Sequence, residues 1–124
     1  MDTKLIEFFE DVLSKTKEGK IQWEPTAQES TFIAAFGGRF SLSISSQADV
    51  ETAMAHLGFS GGPLGKYTLV LRDMHGRIAT VTERDEGSGG VRPGAMRELY
   101  ETARWRAVHG GEKVNEALEA LRSL

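Results

Sequence analysis

Apolar residues recur at helical spacing over residues 3–18, and charged residues occupy most of the positions between them. Gly19 follows this stretch. Lys15 and Lys17 occupy what would be its last turn, where positive charge stabilises the carboxyl end of a helix. The pattern predicts a helix with one buried face. Phe8 widens that face, so it either joins the core or reaches a neighbouring subunit. The apolar stripe consists of Leu5, Ile6, Phe9, Val12, Leu13 and Thr16.

Five short segments of alternating apolar and polar residues predict β-strands. They cover residues 21–24, 31–36, 39–45, 66–72 and 77–83. All but one of the connections between them are short, so neighbouring strands are expected to be antiparallel. Serines fill the polar positions of the third segment, which indicates that one face of the sheet is open to water.

Glycines mark the turns of two predicted hairpins. Gly37-Gly38 separates the second and third segments, and Gly76 lies between the fourth and fifth. Glycine accepts the positive φ that such turns require. The register of the last segment stays open between two pairs of inward-facing residues, Ile78 with Thr80 and Ala79 with Val81.

A short helix over residues 48–57 is predicted from its apolar spacing and from capping residues at both ends. A loop over residues 58–65 follows.

Residues 83–94 are acidic and then glycine-rich, which predicts a mobile loop. Pro93 then suits the first turn of another helix. Its buried stripe is expected to be Met96, Leu99, Tyr100, Ala103, Ala107 and Val108.

Gly110-Gly111 is expected to break that helix, and residues 113–124 form the last one. Two amphipathic helices joined by so short a turn should lie antiparallel as a helical hairpin. The inward-facing residues of the last helix are expected to be Val114, Ala117, Leu118 and Leu121.

The order of these elements predicts an α+β fold, in which an antiparallel meander sheet of about five strands is covered by an N-terminal helix and a C-terminal helical hairpin. The 124 residues suit a single domain spanning 1–124. The absence of cysteine excludes disulfides and thiolate chemistry and fits a reducing cytoplasm. Charges near the amino terminus and the lack of a long apolar run favour a soluble, cytoplasmic protein without a membrane span.

The motifs that suggest catalysis lack the structural setting that their chemistry needs. Residues 58–62 match the G-x-S-x-G pattern of serine hydrolases, but Pro63 and a strand follow where that motif requires a helix. The three histidines fall at the ends of predicted elements. Asp73 and His75 lie close together in the chain, but no third ligand completes a metal site with them. The sequence therefore predicts no catalytic residue, no cofactor and no metal. A ligand-binding or enzymatic site between the 58–65 and 85–94 loops remains an alternative.

Trp105 lies roughly opposite the apolar stripe of its predicted helix. Arg104 and Arg106 flank it, and Arg97 precedes it by two turns. Tryptophan and arginine are enriched at the energetic centres of protein interfaces. The alternatives are that the last helix or the arginine stems cover the indole, or that the indole stacks on a nucleobase. The net charge of −3 gives no attraction to nucleic acid, which disfavours the last interpretation.

Three stretches together carry a resemblance that covers most of the chain. They read GKIQW at 19–23, YTLVLRDMHGRI at 67–78 and LYETAR at 99–104. The chain resembles small, mostly uncharacterised bacterial domains with a helix–sheet–helix-pair layout, some of which occur in immunity or defence settings. The resemblance implies an interaction module and assigns no catalytic residue.

The sequence therefore predicts a non-enzymatic protein-interaction module: an immunity or antitoxin protein, an adaptor or a regulatory subunit. The partner is another protein or a second copy of the chain. The candidate interface residues are Trp105, Arg104, Arg106, Arg97 and Phe8. A self-associating domain, with Phe8 and the terminal helices in a two-fold contact, is the first alternative.

Overall fold

The computed structural model describes residues 2–46 and 66–124. The helices are α1 (Thr3–Lys17), α2 (Ala95–Ala107) and α3 (Gly110–Arg122). The strands are β1 (Glu24–Pro25), β2 (Thr31–Phe36), β3 (Phe40–Ser46), β4 (Tyr67–Asp73) and β5 (Gly76–Thr82), and a 3-10 helix covers Glu83–Asp85. The helix predicted over 48–57 and the loop predicted over 58–65 lie outside the described residues.

The five strands form one antiparallel sheet in the order β1-β2-β3-β4-β5, which confirms the predicted meander. Phe32, Ile44, Leu69 and Val81 are register partners across four strands, and each is at most 3% exposed. This row lies on the face that carries the core, which the buried residues of α1 and α2 complete. The predicted α+β class is confirmed.

The pairing of β5 with β4 shows which residues of β5 face the core, which the sequence left open. Leu71 pairs with Ala79 and Leu69 with Val81, so Ala79 and Val81 share the core face. A β-bulge beside Leu71 adds a residue to β5 at this point. Ile78 is consequently 48% exposed.

The predicted strand over residues 21–24 is shorter and shifted, since β1 covers only Glu24–Pro25. Trp23 is buried, and its Nε1–H donates a hydrogen bond of 3.0 Å to Oγ1 of buried Thr16. This bond holds the segment that follows α1 against the helix instead of against β2. Trp23 nevertheless belongs to the hydrophobic core.

The segment between β5 and α2 is held by hydrogen bonds, in contrast to the mobile loop that its composition predicts. The Glu86 carboxylate accepts hydrogen bonds from the backbone N–H groups of Gly94 (3.0 Å) and Met96 (2.9 Å). The Asp85 carboxylate accepts one from the N–H of Thr82 at 2.8 Å. The two acidic side chains are therefore bound to backbone, and Glu86 satisfies donors at the start of α2.

The last helix begins at Gly110, three residues earlier than predicted. His109 adopts the left-handed conformation, with φ 52° and ψ 49°, and this one residue ends the preceding helix. The two glycines then form the first turn of α3 and do not separate the helices. Val108, expected to be buried, is 42% exposed.

The prediction that the apolar residues of the last helix face the core is wrong. Gly110 is the only buried residue of α3. The remaining positions of this helix are exposed, including Val114, Ala117, Leu118 and Leu121. The core is already closed without them, because Phe9 and Leu99 of the other two helices are fully buried.

Candidate interaction surface

Trp105 lies on the exposed side of α2, as its position in the sequence predicts. Its side chain is 52% exposed, and Arg97 and Arg104 of the same helix are also exposed. Arg97 and Arg104 are seven residues apart, which places them on one side of the helix. Neither has an ion pair among residues 2–46 and 66–124. The structure thus leaves an indole and two guanidinium groups available to a partner.

The covered side of the Trp105 indole packs against Gly110. A Cβ atom built at Gly110 would lie at overlapping distances from Cδ2 and from Cε3 of the ring. Such distances leave no room for a side chain, so the indole rests directly on backbone. This contact joins the end of α2 to the start of α3.

The exposed apolar stripe of α3 continues from this contact. Val114, Ala117 and Leu121 follow Gly110 at intervals of four, three and four residues, which is the spacing of one helix face. Leu118 borders the same face, and Leu121 is 64% exposed. We call the apolar residues of this region the terminal surface; it comprises Trp105, Val108, Val114, Leu118 and Leu121.

Arg106 has a partner within the domain. Its Nη2 donates a hydrogen bond of 2.7 Å to the carbonyl oxygen of Lys17, the last residue of α1. The same guanidinium lies against Gly19, where a Cβ atom would be only 2.9 Å from Nη1. Arg106 therefore holds the end of α1 against α2, and the structure separates its role from those of Arg97 and Arg104.

Phe8 belongs to a different surface. Its ring is partly buried and lies 6.4 Å from the ring of Phe36, which stacks on Phe40 at 5.4 Å. A largely apolar groove of about 340 Å³ lies beside these rings and is also lined by Ile21 and Lys20. Phe8 of α1 contacts Phe36 at the end of β2, whereas Trp105 contacts Gly110 of α3.

Glu98 is the charged centre that links α1, α2 and the segment before α2. It forms salt bridges with Lys17 and with Arg92, the latter at 2.5 Å. The hydrogen bond from Arg92, followed by that from Lys17, lowers the pKa of the Glu98 carboxyl below its usual value. This carboxylate therefore favours its charged state, which suits an ion pair and not a proton donor.

The described residues do not bring together a set of side chains that suits metal binding. Within residues 2–46 and 66–124, no three His, Asp or Glu side chains converge. Asp73 and His75, which the sequence places near each other, meet through a hydrogen bond of 2.8 Å from the His75 backbone N–H to the Asp73 carboxylate. The predicted alternative site at the 58–65 and 85–94 loops depends on a segment outside the described part of the chain.

Sequence reasoning missed the stripe of α3 as a surface. Its spacing shows that one face is apolar, but the same spacing serves a helix that packs inside its own domain and one that packs on another chain. The detectable signal is Gly110, whose lack of a side chain allows Trp105 to pack on the start of the helix.

No helix in the described ranges combines the length and the apolar content needed to cross a bilayer. In comparisons with known proteins, no protein-family model, no curated protein and no solved structure matches this chain.

Proposed function

We propose that this chain is a non-enzymatic protein-interaction module that binds its partner through the terminal surface. The observation that carries the proposal is the exposure of α3 after Gly110, apolar stripe included. An isolated helix of 13 residues is marginal in water, and most helical stability in proteins comes from packing an apolar face. A partner that covers this stripe supplies the packing that the domain itself does not.

The size of the surface indicates what a partner must add. Each of its five side chains is about half exposed, so burying the remainder contributes roughly 1 kcal/mol per residue. The sum of about 5 kcal/mol is near the low end of the ~4–15 kcal/mol cost of association. The stripe alone therefore gives weak binding, and a specific complex requires polar contacts around it.

Arg97 and Arg104 are placed to make such contacts. Both are exposed on α2, the helix that carries Trp105. Arginine binds carboxylates in a bidentate manner, and Trp–Arg clusters are typical of interface hot spots. We therefore expect a partner with an apolar strip bordered by Asp or Glu. An immunity, antitoxin, adaptor or regulatory role is consistent with this mode of action, and the resemblance to bacterial domains in defence settings supports it.

The test compares Leu121→Lys with Glu119→Lys, which place the same charged side chain on the stripe and away from it. Tagged protein is expressed in its native host, captured proteins are identified by mass spectrometry, and each candidate is then purified and titrated calorimetrically. We expect the wild type and Glu119→Lys to bind equally, and Leu121→Lys to bind at least tenfold more weakly, a difference of about 1.4 kcal/mol. Equal affinity of all three proteins contradicts the proposal.

Self-association is measured on the same variants by sedimentation equilibrium. A dimer that Leu121→Lys dissociates and Glu119→Lys leaves intact identifies a second copy as the partner. If the wild type is monomeric at high concentration and no purified candidate binds it, the interaction function is wrong.

A further inference from the structure

We propose that the exposed part of the sheet face turned away from α1 and α2, here called the open face and consisting of Ile33, Ser41, Ser43, Arg72 and Arg77, binds the oxyanion group of a small ligand. Arg72 and Arg77 supply the positive charge, Ser41 and Ser43 supply hydroxyl groups, and Ile33 contacts an apolar part of the same ligand. This site is independent of the terminal surface, because it is built from strands and not from α2 or α3.

The first observation is a pair of like charges at one register position. Arg72 of β4 is paired directly with Arg77 of β5, and a β-bulge interrupts the ladder next to Arg72. Directly opposed residues of antiparallel strands have Cβ atoms about 5 Å apart, and like charges there are unfavourable. Bulges are enriched next to functional sites, where they redirect a side chain.

The second observation is that no carboxylate among the described residues pairs with this charge. Both arginines are exposed, and neither forms an ion pair with a residue in 2–46 or 66–124. Lys17 and Arg92, in contrast, share the Glu98 carboxylate. Two adjacent guanidinium groups that no described carboxylate pairs with create a local positive potential in a chain whose net charge is −3.

The third observation is the orientation of Arg72 toward the serines of β3. Its Nη1 donates a hydrogen bond of 3.2 Å to Oγ of Ser43, and Ser41 is its register partner on β3. A guanidinium has five N–H donors, so most of them remain available for a ligand. Two serine hydroxyls beside a guanidinium match the several acceptor oxygens of a phosphate or a carboxylate.

The fourth observation is a groove that begins at Arg72. It has a volume of about 460 Å³, and its lining includes Ser41, Ser43, Ile33 and Glu24. That volume lies within the range of small-ligand sites, which combine apolar contact area with a few polar groups. Ile33 is 43% exposed and supplies the apolar contact.

The charge at the far side of the groove restricts the ligand further. Glu24 lies on β1, three strands away from Arg72 in the sheet. Strands are spaced about 4.8 Å apart, and the Arg72 guanidinium reaches Ser43 on β3, so this charge lies two strand spacings, roughly 10 Å, from β1. A ligand with one oxyanion end, an apolar body and a neutral or cationic opposite end fits this arrangement, whereas a polyanion such as RNA does not.

The test uses phenyl phosphate and benzoate as probes, with phenol as the control that lacks an oxyanion. Binding is followed by the backbone amide NMR shifts of Ser41, Ser43 and Arg72. We expect saturable shifts in the millimolar range with the two anions and none with phenol. The tighter of the two anions identifies the site as one for phosphates or for carboxylates.

Arg72→Gln is expected to weaken binding of the tighter anion at least tenfold, whereas Arg122→Gln, which removes an exposed arginine from α3, leaves it unchanged. Urea unfolding of Arg77→Gln gives an independent readout. Because the variant removes a like-charge contact, its stability is expected to equal or exceed that of the wild type. The proposal is overturned by shifts that do not saturate, or by an Arg72→Gln variant that binds the anion as tightly as the wild type. A marked loss of stability in Arg77→Gln also overturns it.

Discussion

The indole of Trp105 lies directly on Gly110, five residues later in the chain, and this contact fixes the junction of α2 and α3. One side of the ring covers backbone and the other remains in solvent. The contact places the exposed part of Trp105 at the beginning of the apolar stripe of α3. The terminal surface therefore depends on a glycine as much as on its apolar side chains.

The two glycines of α3 are expected to respond oppositely to the same substitution. Alanine favours a helix over glycine by about 1 kcal/mol, so Gly111→Ala, which meets no atom within 4 Å, should stabilise α3. Gly110→Ala places a methyl group inside the indole ring contact, which costs about 1–3 kcal/mol. Amide hydrogen exchange in α3 and the emission maximum of Trp105 measure the difference. Equal protection in the two variants contradicts the packing of Trp105 on Gly110.

Arg106→Gln is expected to destabilise the domain by about 1 kcal/mol. It removes the charged donor from the Lys17 carbonyl at the exposed end of α1, where water lowers the contribution of a charge-assisted hydrogen bond below its usual ~1.5–3 kcal/mol. Arg104→Gln is the matched control and should change stability by less than about 0.5 kcal/mol. Urea denaturation measures both. A larger loss from Arg104→Gln than from Arg106→Gln would reverse the roles assigned to these arginines.

The stability contributed by Glu98 is expected to disappear in acid. Hydrogen bonds from Arg92 and then Lys17 lower its pKa in the folded state, so the unfolded chain takes up the proton first as the pH falls. The contribution is complete above the unfolded-state pKa of about 4.3 and is lost as the pH falls through the lower folded-state pKa.

The measurement is the difference in unfolding free energy between the wild type and Glu98→Gln across pH. We expect it to be constant from neutral pH to about pH 5 and to shrink below that, and to be smaller in high salt because the ion pairs are exposed. Glu101→Gln, an exposed change on the same helix, serves as the control. If the difference in unfolding free energy grows as the pH falls, the pKa of Glu98 is not lowered in the folded state.

Glu86→Ala is expected to cost about 1–2 kcal/mol, because it removes the carboxylate that accepts from Gly94 and Met96 at the start of α2. Gly94 is the residue before this helix and has no side chain to perform the task itself. Ser88→Ala, an exposed change in the same segment, is the control. Thermal unfolding measures both, and an unchanged melting temperature for Glu86→Ala would show that the hydrogen bonds contribute little.

The periodic segments were predictable because their information is local. The helix over 3–18, the strand Thr31–Phe36 and the hairpin at Gly37-Gly38 follow from spacing and from the glycine φ requirement. The exposure of Trp105 followed as well, since its position opposite an apolar stripe is a property of the helix alone. The acidic segment over residues 83–94 was predicted to be a mobile loop, because local composition does not show that Glu86 binds backbone N–H groups eight and ten residues away.

By itself, the sequence determined the α+β class, the antiparallel meander and the lack of thiol chemistry, since these follow from periodicity, turn residues and composition. The tertiary structure decided which apolar stripes are buried. It also decided that Arg106 binds the last carbonyl of α1 and that Arg72 of β4 pairs with Arg77 of β5. The physical reason is that a helix or strand pattern specifies which side of an element is apolar or charged. It does not specify which neighbour, within the chain or outside it, lies against that side.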